Sequence, residues 1–223
     1  MKYYSIAIDG PAGSGKSTVA QSVAKGLGFT YIDTGAMYRA ITLKALRLNL
    51  ADLGDESLYT FLKDTKLEFI NEKMHMDDED VSEEIRTEPI VKNVSLVSSL
   101  KYVREVLVEM QRDMARGTNV VMDGRDIGTN VLKDATLKIF LIASIDIRAL
   151  RRYYEQLEKG SNMSYDEVVA DLIRRDNFDS NRLNNPLRKA EDAIELDDSS
   201  LTIEETAQKI MHLFKEKNHL WQI

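Results

Sequence analysis

The stretch Gly10-Pro-Ala-Gly-Ser-Gly-Lys-Ser-Thr18 constrains this chain more than any other, and it follows directly on the apolar run Ser5-Ile-Ala-Ile-Asp9. Gly10, Gly15, Lys16 and Ser17 satisfy the pattern G-x-x-x-x-G-K-[ST]. Glycines let a backbone wrap closely around an anion, its N–H groups point inward, and the next helix adds its positive N-terminal end. Such a loop needs a buried strand before it and an amphipathic helix after it. Both are present, since Val19, Val23 and Leu27 repeat every four residues and Gly28 is placed to end the helix. The motif predicts a nucleoside triphosphate site over Gly10, Pro11, Ala12, Gly13, Ser14, Gly15, Lys16, Ser17 and Thr18. Lys16 would reach the β- and γ-phosphates and the Ser17 hydroxyl would serve Mg²⁺.

Four further apolar runs follow: Thr30–Asp33, Val120–Asp123, Leu137–Ala143 and Ala193–Asp197. Val and Ile on consecutive positions mark strands buried on both faces. Helical patterns lie between them. One starts near Gly35, one covers about Val91–Arg116, and Thr202 with Glu205 forms a capping box for a helix through roughly Leu213. The expectation is an α/β fold, a parallel sheet flanked by helices, as one domain over residues 1–223. The long gaps hold two insertions, about 35–116 and about 148–190. The first contains the acidic patch Met76–Glu84, and the second is Arg-rich with a break at Glu158–Ser164. Insertions on one parallel sheet predict mobile flaps around a site at its C-terminal edge.

Charge and cysteine content exclude several classes. Lys and Arg total 30 against 37 Asp and Glu, a net charge of −7, which argues against nucleic-acid and anionic-membrane binding. The chain has no cysteine, so disulfides and cysteine-based zinc sites are excluded and a reducing compartment is expected. The apolar run at the N-terminus is too short for a signal peptide, and no uncharged stretch approaches a membrane span of about 18 residues. These features predict a cytoplasmic protein with no membrane partner.

The loop alone leaves two reaction classes, a switch or motor NTPase and a kinase with a second substrate. No N-K-x-D guanine-reading motif occurs. A kinase needs a second anion site rich in arginine, the residue suited to gripping phosphate with two parallel hydrogen bonds. Arg39, Arg125, Arg175, Arg182 and Arg188 fall at strand ends or flank the insertions, and Arg148, Arg151 and Arg152 open the second insertion. Asp123 ends an apolar strand, where a magnesium-serving carboxylate is common in such loops, and Asp126 is three residues on. His75, His212 and His219 are scattered without metal-ligand spacing. No general base stands out, and a phosphate acceptor needs none, because it is largely dianionic at neutral pH.

Taken together, "IAIDGPAGSGKST", "YIDTGAMYRA", "DVSEEIRT", "DGRDIGT", "LKIFLIAS" and "RRDNFDSNRLNNPL" stand in the order and spacing of the bacterial cytidylate kinase family, which the chain resembles from about residue 5 to about 210. The resemblance implies a P-loop kinase with a five-stranded parallel core, an enlarged nucleotide-monophosphate-binding insertion and a short lid. It implies γ-phosphoryl transfer from MgATP to CMP or dCMP by a monomer. By the same resemblance Lys16, Arg125 and Arg182 are catalytic. Thr34, Arg39, Ser95, Arg104, Arg125, Asp126, Arg175, Asp179 and Arg182 bind CMP, with Ser95, Arg104 and Asp126 reading the cytosine edge. Ser17 and Asp123 serve Mg²⁺ through water, and Arg148 and Arg152 are lid contacts to ATP phosphates. The alternatives are another nucleoside monophosphate or a small hydroxyl compound as acceptor.

Overall fold

The computed structural model describes residues 3–158, 160 and 162–218. Lys159 and Ser161 of the Glu158–Ser164 break therefore lie outside the described residues. The strands are β1 (Ser5–Asp9), β2 (Thr30–Asp33), β3 (Leu67–Ile70), β4 (Lys73–Met76), β5 (Glu79–Asp80), β6 (Val120–Gly124), β7 (Leu137–Ile142) and β8 (Ile194–Asp197). The α-helices are α1 (Lys16–Leu27), α2 (Thr34–Arg47), α3 (Glu88–Val97), α4 (Lys101–Ala115), α5 (Ile145–Glu158), α6 (Tyr165–Asn181) and α7 (Ile203–Lys217). The five apolar runs all become strands of one sheet in the order β2-β6-β1-β7-β8, and the β1–β6, β1–β7 and β7–β8 pairs are parallel.

The chain divides into two compact units, one made of the residues up to Tyr31 and from Gly117 onward, the other of Ile32–Arg116. In the first, Ile6, Ile8, Val121, Leu137, Ile139 and Leu141 of the central strands pack on Val19 and Val23 of α1 and on Ala207, Ile210 and Phe214 of α7. Tyr4 and Phe29 each meet the Phe214 ring edge-on, both with centroids 5.5 Å apart. Gly28 ends α1 as its position predicts. Its φ of 67° is open to glycine without strain, and the Phe29 N–H reaches back to Ala24 O at 2.9 Å. Thr202 and Glu205 form the expected capping box, and α7 runs on to Lys217, past the expected end near Leu213. A smaller apolar cluster of Ala12, Ala149, Val168 and Leu172 seats α5 and α6 against the loop after β1.

The second unit departs from its sequence pattern in two places. The single helix expected over about Val91–Arg116 is two helices, α3 and α4, separated at Ser98-Ser99-Leu100. The Ser98 hydroxyl donates to Ser95 O at 3.0 Å and the Ser99 hydroxyl to Leu96 O at 2.7 Å, and Leu100 then turns extended. Serine side chains that bond nearby carbonyls compete with helix propagation, and two in succession end it. Ser95 and Arg104 therefore belong to different helices and share no helical face.

The acidic patch is also structured, as the end of the antiparallel sheet β3-β4-β5. Both of its turns have two residues, Asn71-Glu72 and Asp77-Asp78, and all four carry positive φ (50°, 65°, 51° and 67°). That is the geometry of the hairpin turn whose twist matches its strands. Basic residues answer the acids: Lys44 with Asp77 at 2.6 Å, Arg47 with Glu79 at 2.7 Å and with Glu84, Lys66 with Asp78 at 3.0 Å, and Lys73 with Asp80 at 2.8 Å.

Glu72 holds a left-handed conformation that side chains disfavour. Glu72→Gly is expected to raise stability by about 0.5–1 kcal/mol, which for a chain of this size is about 1–4 °C in Tm. Calorimetric melting of the two proteins checks this, and a lower Tm for the variant would show that the glutamate side chain outweighs its backbone strain.

Candidate active site

Register fixes the site. Ile8 lies opposite Asp123 and Asp9 opposite Gly124, so the glycine loop leaves β1 beside the end of β6. Gly10 passes so close to β7 that a Cβ there would sit 2.1 Å from Leu141 O, and no other residue fits without moving backbone. Gly13 and Gly15 have φ of 74° and 78°, and Gly15 is the N-cap of α1. The first turn of α1 contains no acid, so its N-terminal positive end is not offset. The Lys16 ammonium is buried and donates to Pro11 O at 3.1 Å, and the Ser14 hydroxyl is buried with no hydrogen-bond partner. Left-handed glycines, a buried cation and an orphaned hydroxyl are features that suit an anion cradle.

Ser17 Oγ donates to Asp123 Oδ2 at 2.6 Å, and Tyr31 OH donates to Asp123 Oδ1 at 2.9 Å. The two residues assigned to magnesium from sequence thus stand together, with Tyr31 orienting the carboxylate. Among the described residues no three His, Cys, Asp or Glu side chains group to hold a metal. One hydroxyl and one carboxylate fit Mg²⁺ that arrives on nucleotide phosphates, because this ion keeps waters and needs few protein ligands.

A second network clasps the loop from α5 and α6. Asp176 Oδ1 accepts from Ala12 N at 2.9 Å, while Arg148 donates to Ala12 O at 2.7 Å and to Asp176 Oδ2 at 2.6 Å. Arg148 Nε also donates to Ala143 O at 3.1 Å. Arg152 pairs instead with Glu155 at 2.9 Å. Asp176 escaped the sequence reading, and its one signal is an acid placed directly beside Arg175.

The basic cluster lies past the ends of β6 and α6. Arg125 Nε donates to Asp179 Oδ2 at 2.8 Å. Arg182 is buried at the C-cap of α6, where Nη2 donates to Asp126 Oδ1 at 3.2 Å and to Asn185 O at 2.6 Å. Asn130 Nδ2 donates to Asp126 Oδ2 at 3.0 Å. Arg175 is half-buried in α6. Burial, and then the Arg125 charge, push the Lys16 ammonium well down from its usual range. The same two causes hold the Arg175 guanidinium down. Burial acts against the Arg125 charge too, but Asp179 outweighs it and the guanidinium is raised. Asp179 is held low by Arg125, Arg182 and Arg175, against its own burial.

The remaining assigned residues lie in the second unit. Thr34 is buried at the start of α2, beside its N-cap Asp33, whose Oδ1 accepts from Ala36 N at 2.8 Å. Arg39 is held one turn later by Asp33 Oδ2 at 2.9 Å. Ser95 and Arg104 are both buried. Arg104 is only 2% exposed, donates to Ser98 O at 3.0 Å and lies 5.4 Å over the Tyr38 ring.

Comparison with known proteins shows what the whole chain is similar to. A family model described as cytidylate kinase matches residues 6–216. A cytidylate kinase of Alkaliphilus oremlandii is 49% identical over 215 residues, covering 96% of this chain and 99% of that protein. One of Bacillus pumilus is 51% identical over 215 residues, covering 94% of this chain and 95% of that protein. An uncharacterized protein from Eubacterium ventriosum, 11% identical, shares the fold with a TM-score of 0.53, covering 95% of this chain and 98% of that one.

Anionic ligand at the glycine loop would relieve the crowding that depresses Lys16. Binding of MgATP at pH 8 is therefore expected to take up protons, since a lysine held low is partly neutral there and the phosphates restore its charge. Titration calorimetry in buffers of different ionisation enthalpy measures that uptake. Zero uptake would mean that Lys16 is fully charged before ligand arrives.

Proposed function

The chain belongs to the cytidylate kinase family, and on that premise we propose how its own residues carry the reaction of such a kinase. The enzyme transfers the γ-phosphoryl group of ATP to CMP or dCMP, giving CDP or dCDP and ADP. The observation that supports this reading best is the set of buried and half-buried cations Lys16, Arg125, Arg175 and Arg182, all of which bear on Asp179 beside the loop. Two sets of phosphate charge must be brought together, and this set answers both.

Gly10–Thr18 cradle the triphosphate, and Lys16 follows the charge that develops on the β- and γ-oxygens. Ser17 and Asp123 would hold the Mg²⁺ that accompanies ATP, and that ion would supply neutralisation of phosphate charge. Arg39, Arg125 and Arg182 grip the CMP phosphate, and Arg125 also stabilises the transferred group. That phosphate attacks as a dianion, so positioning and neutralisation provide the rate and no side chain need take a proton.

Thr34 lines the pocket, and Arg175 with Asp179 holds the ribose. Ser95, Arg104 and Asp126 read the base. An ionised Asp126 only accepts, which suits the exocyclic amine of cytosine and opposes the carbonyl that uracil presents there. The insertions at about 35–116 and about 148–190 act as nucleotide-monophosphate-binding region and lid on one P-loop kinase domain. Their closure excludes water that would otherwise receive the phosphoryl group. No helix among the described residues is long and apolar enough to cross a membrane. The cysteine-free, acidic composition supports a cytoplasmic protein working on free nucleotides, and the family resemblance is what suggests a monomer.

Coupled ADP release from MgATP across CMP, dCMP, UMP, AMP, GMP and shikimate tests the reading. Turnover with CMP and dCMP well above the rest is expected, and silence across the panel with ATP still bound would overturn it. Asp126→Ala is expected to lower the CMP:UMP ratio of kcat/KM about 10- to 100-fold, the worth of a hydrogen bond to a charged group, with KM for ATP little changed.

A further inference from the structure

Asp9 is the last residue of β1 and only 5% exposed, and the mechanism above gives it no part. Both of its carboxylate oxygens are committed to one short segment of backbone. Oδ1 accepts from Ile127 N and Oδ2 from Gly128 N, each at 2.8 Å. These two amides immediately follow Asp126, and they open the π-helical turn Ile127–Val131.

The turn closes back on Asp126 from its other end. Asp126 O accepts from Asn130 N at 2.9 Å and from Val131 N at 3.3 Å. Its side chain accepts from Asn130 and Arg182, as described above. Asp126 sits at φ −143° and ψ 27°, outside the regular helix and strand regions. The segment also has little room to shift. A Cβ on Gly128 would meet Lys138 Cδ at 3.1 Å and Asp9 Oδ2 at 3.4 Å.

Burying a carboxylate here is costly. Burial pushes the Asp9 carboxyl up to about 7, against the two N–H donors and the nearby Lys16 charge, and the Asp126 charge adds to the rise. The groups that face it are Lys16 from α1, Asp126 from the segment after β6, and the Lys138 stem from β7. A turn alone does not require a charged buried anchor.

We propose that Asp9 is a positioning residue for base selection: through the Ile127 and Gly128 amides it fixes the peptide that aims the Asp126 carboxylate. The strand that launches the phosphate loop thereby also sets the group that reads the acceptor base. The proposal rests on Asp126 being the cytosine reader.

The test is a double-mutant cycle on the full chain, with kcat and KM for CMP and UMP measured for the unmodified enzyme, Asp9→Asn, Asp126→Ala and the pair. In Asp9→Asn the amide group retains one acceptor and opposes the other backbone N–H with its own. The CMP:UMP ratio of kcat/KM should fall about tenfold, through KM for CMP, while kcat at saturation and KM for ATP stay within about twofold. In the Asp126→Ala background, Asp9→Asn should lower the ratio no further.

A ratio unchanged by Asp9→Asn but lowered by Asp126→Ala overturns the Asp9 proposal alone, as does an equal fall in both backgrounds. A ratio unchanged by Asp126→Ala removes the cytosine reader, and the proposal with it. If Asp9→Asn does not fold, Asp9→Ser, which keeps one hydroxyl acceptor, takes its place in the cycle. If neither folds, the CMP:UMP ratio of the unmodified enzyme decides. It should fall as pH drops through about 7, because the protonated carboxyl gives up one of its two amides. A flat ratio between pH 6 and 8 overturns the proposal.

Discussion

The alignment of β1 with β6 is the constraint on which the rest of the structure depends. With Ile8 opposite Asp123 and Asp9 opposite Gly124, two strand ends open at the same edge of a parallel sheet. The first continues into the glycine loop and the second into Arg125 and Asp126. A slip of one residue would turn every side chain on β6 to the opposite face. Ser17 would lose Asp123, and Asp9 would lose the two amides that follow Asp126. Hydrophobic burial holds that alignment, since Ile6, Ile8, Val121 and Ile139 are all inaccessible or nearly so. The polar geometry at the edge is thus set by apolar packing behind it.

The edge itself is electrostatically uncomfortable. Lys16, Arg125 and Arg175 repel one another, and with Arg182 they all bear on Asp179. A fold optimised for stability alone would not gather these charges, because desolvation costs several kcal/mol for each buried ion. On the proposed reading, a ligand bearing phosphate charge would offset the burial and mutual repulsion that lower Lys16 and Arg175. Sites that break local rules of stability are where function is expected to lie.

Much of this was legible in the sequence because it was local. Short apolar runs ending in polar or glycine residues marked the five strands, Gly28 marked the end of α1, and Thr202 with Glu205 marked the start of α7. What escaped was non-local or chemically disguised. The hairpin turns Asn71-Glu72 and Asp77-Asp78 contain no glycine, so the left-handed backbone had no flag. Helix periodicity ran on through Ser98 and Ser99, whose hydroxyls end α3 by bonding backward. Asp176, Tyr31 and Asn130 act through partners 28 or more residues away or by a side chain folded back on its own turn. No spacing rule announces an acid at position 9 that holds amides at 127 and 128.

The clasp on Ala12 has a mechanical corollary. Arg148 and Asp176 are tied to the loop near one end of α5 and late in α6, while Glu158 and Tyr165 lie at the helices' other ends. At 1.5 Å per residue, about 15 Å of each helix extends past the clasp. The pair therefore projects from the glycine loop, held to it at Ala12. A tilt of about 5° at Ala12 would move the far end by only about 1 Å on an arm of this length.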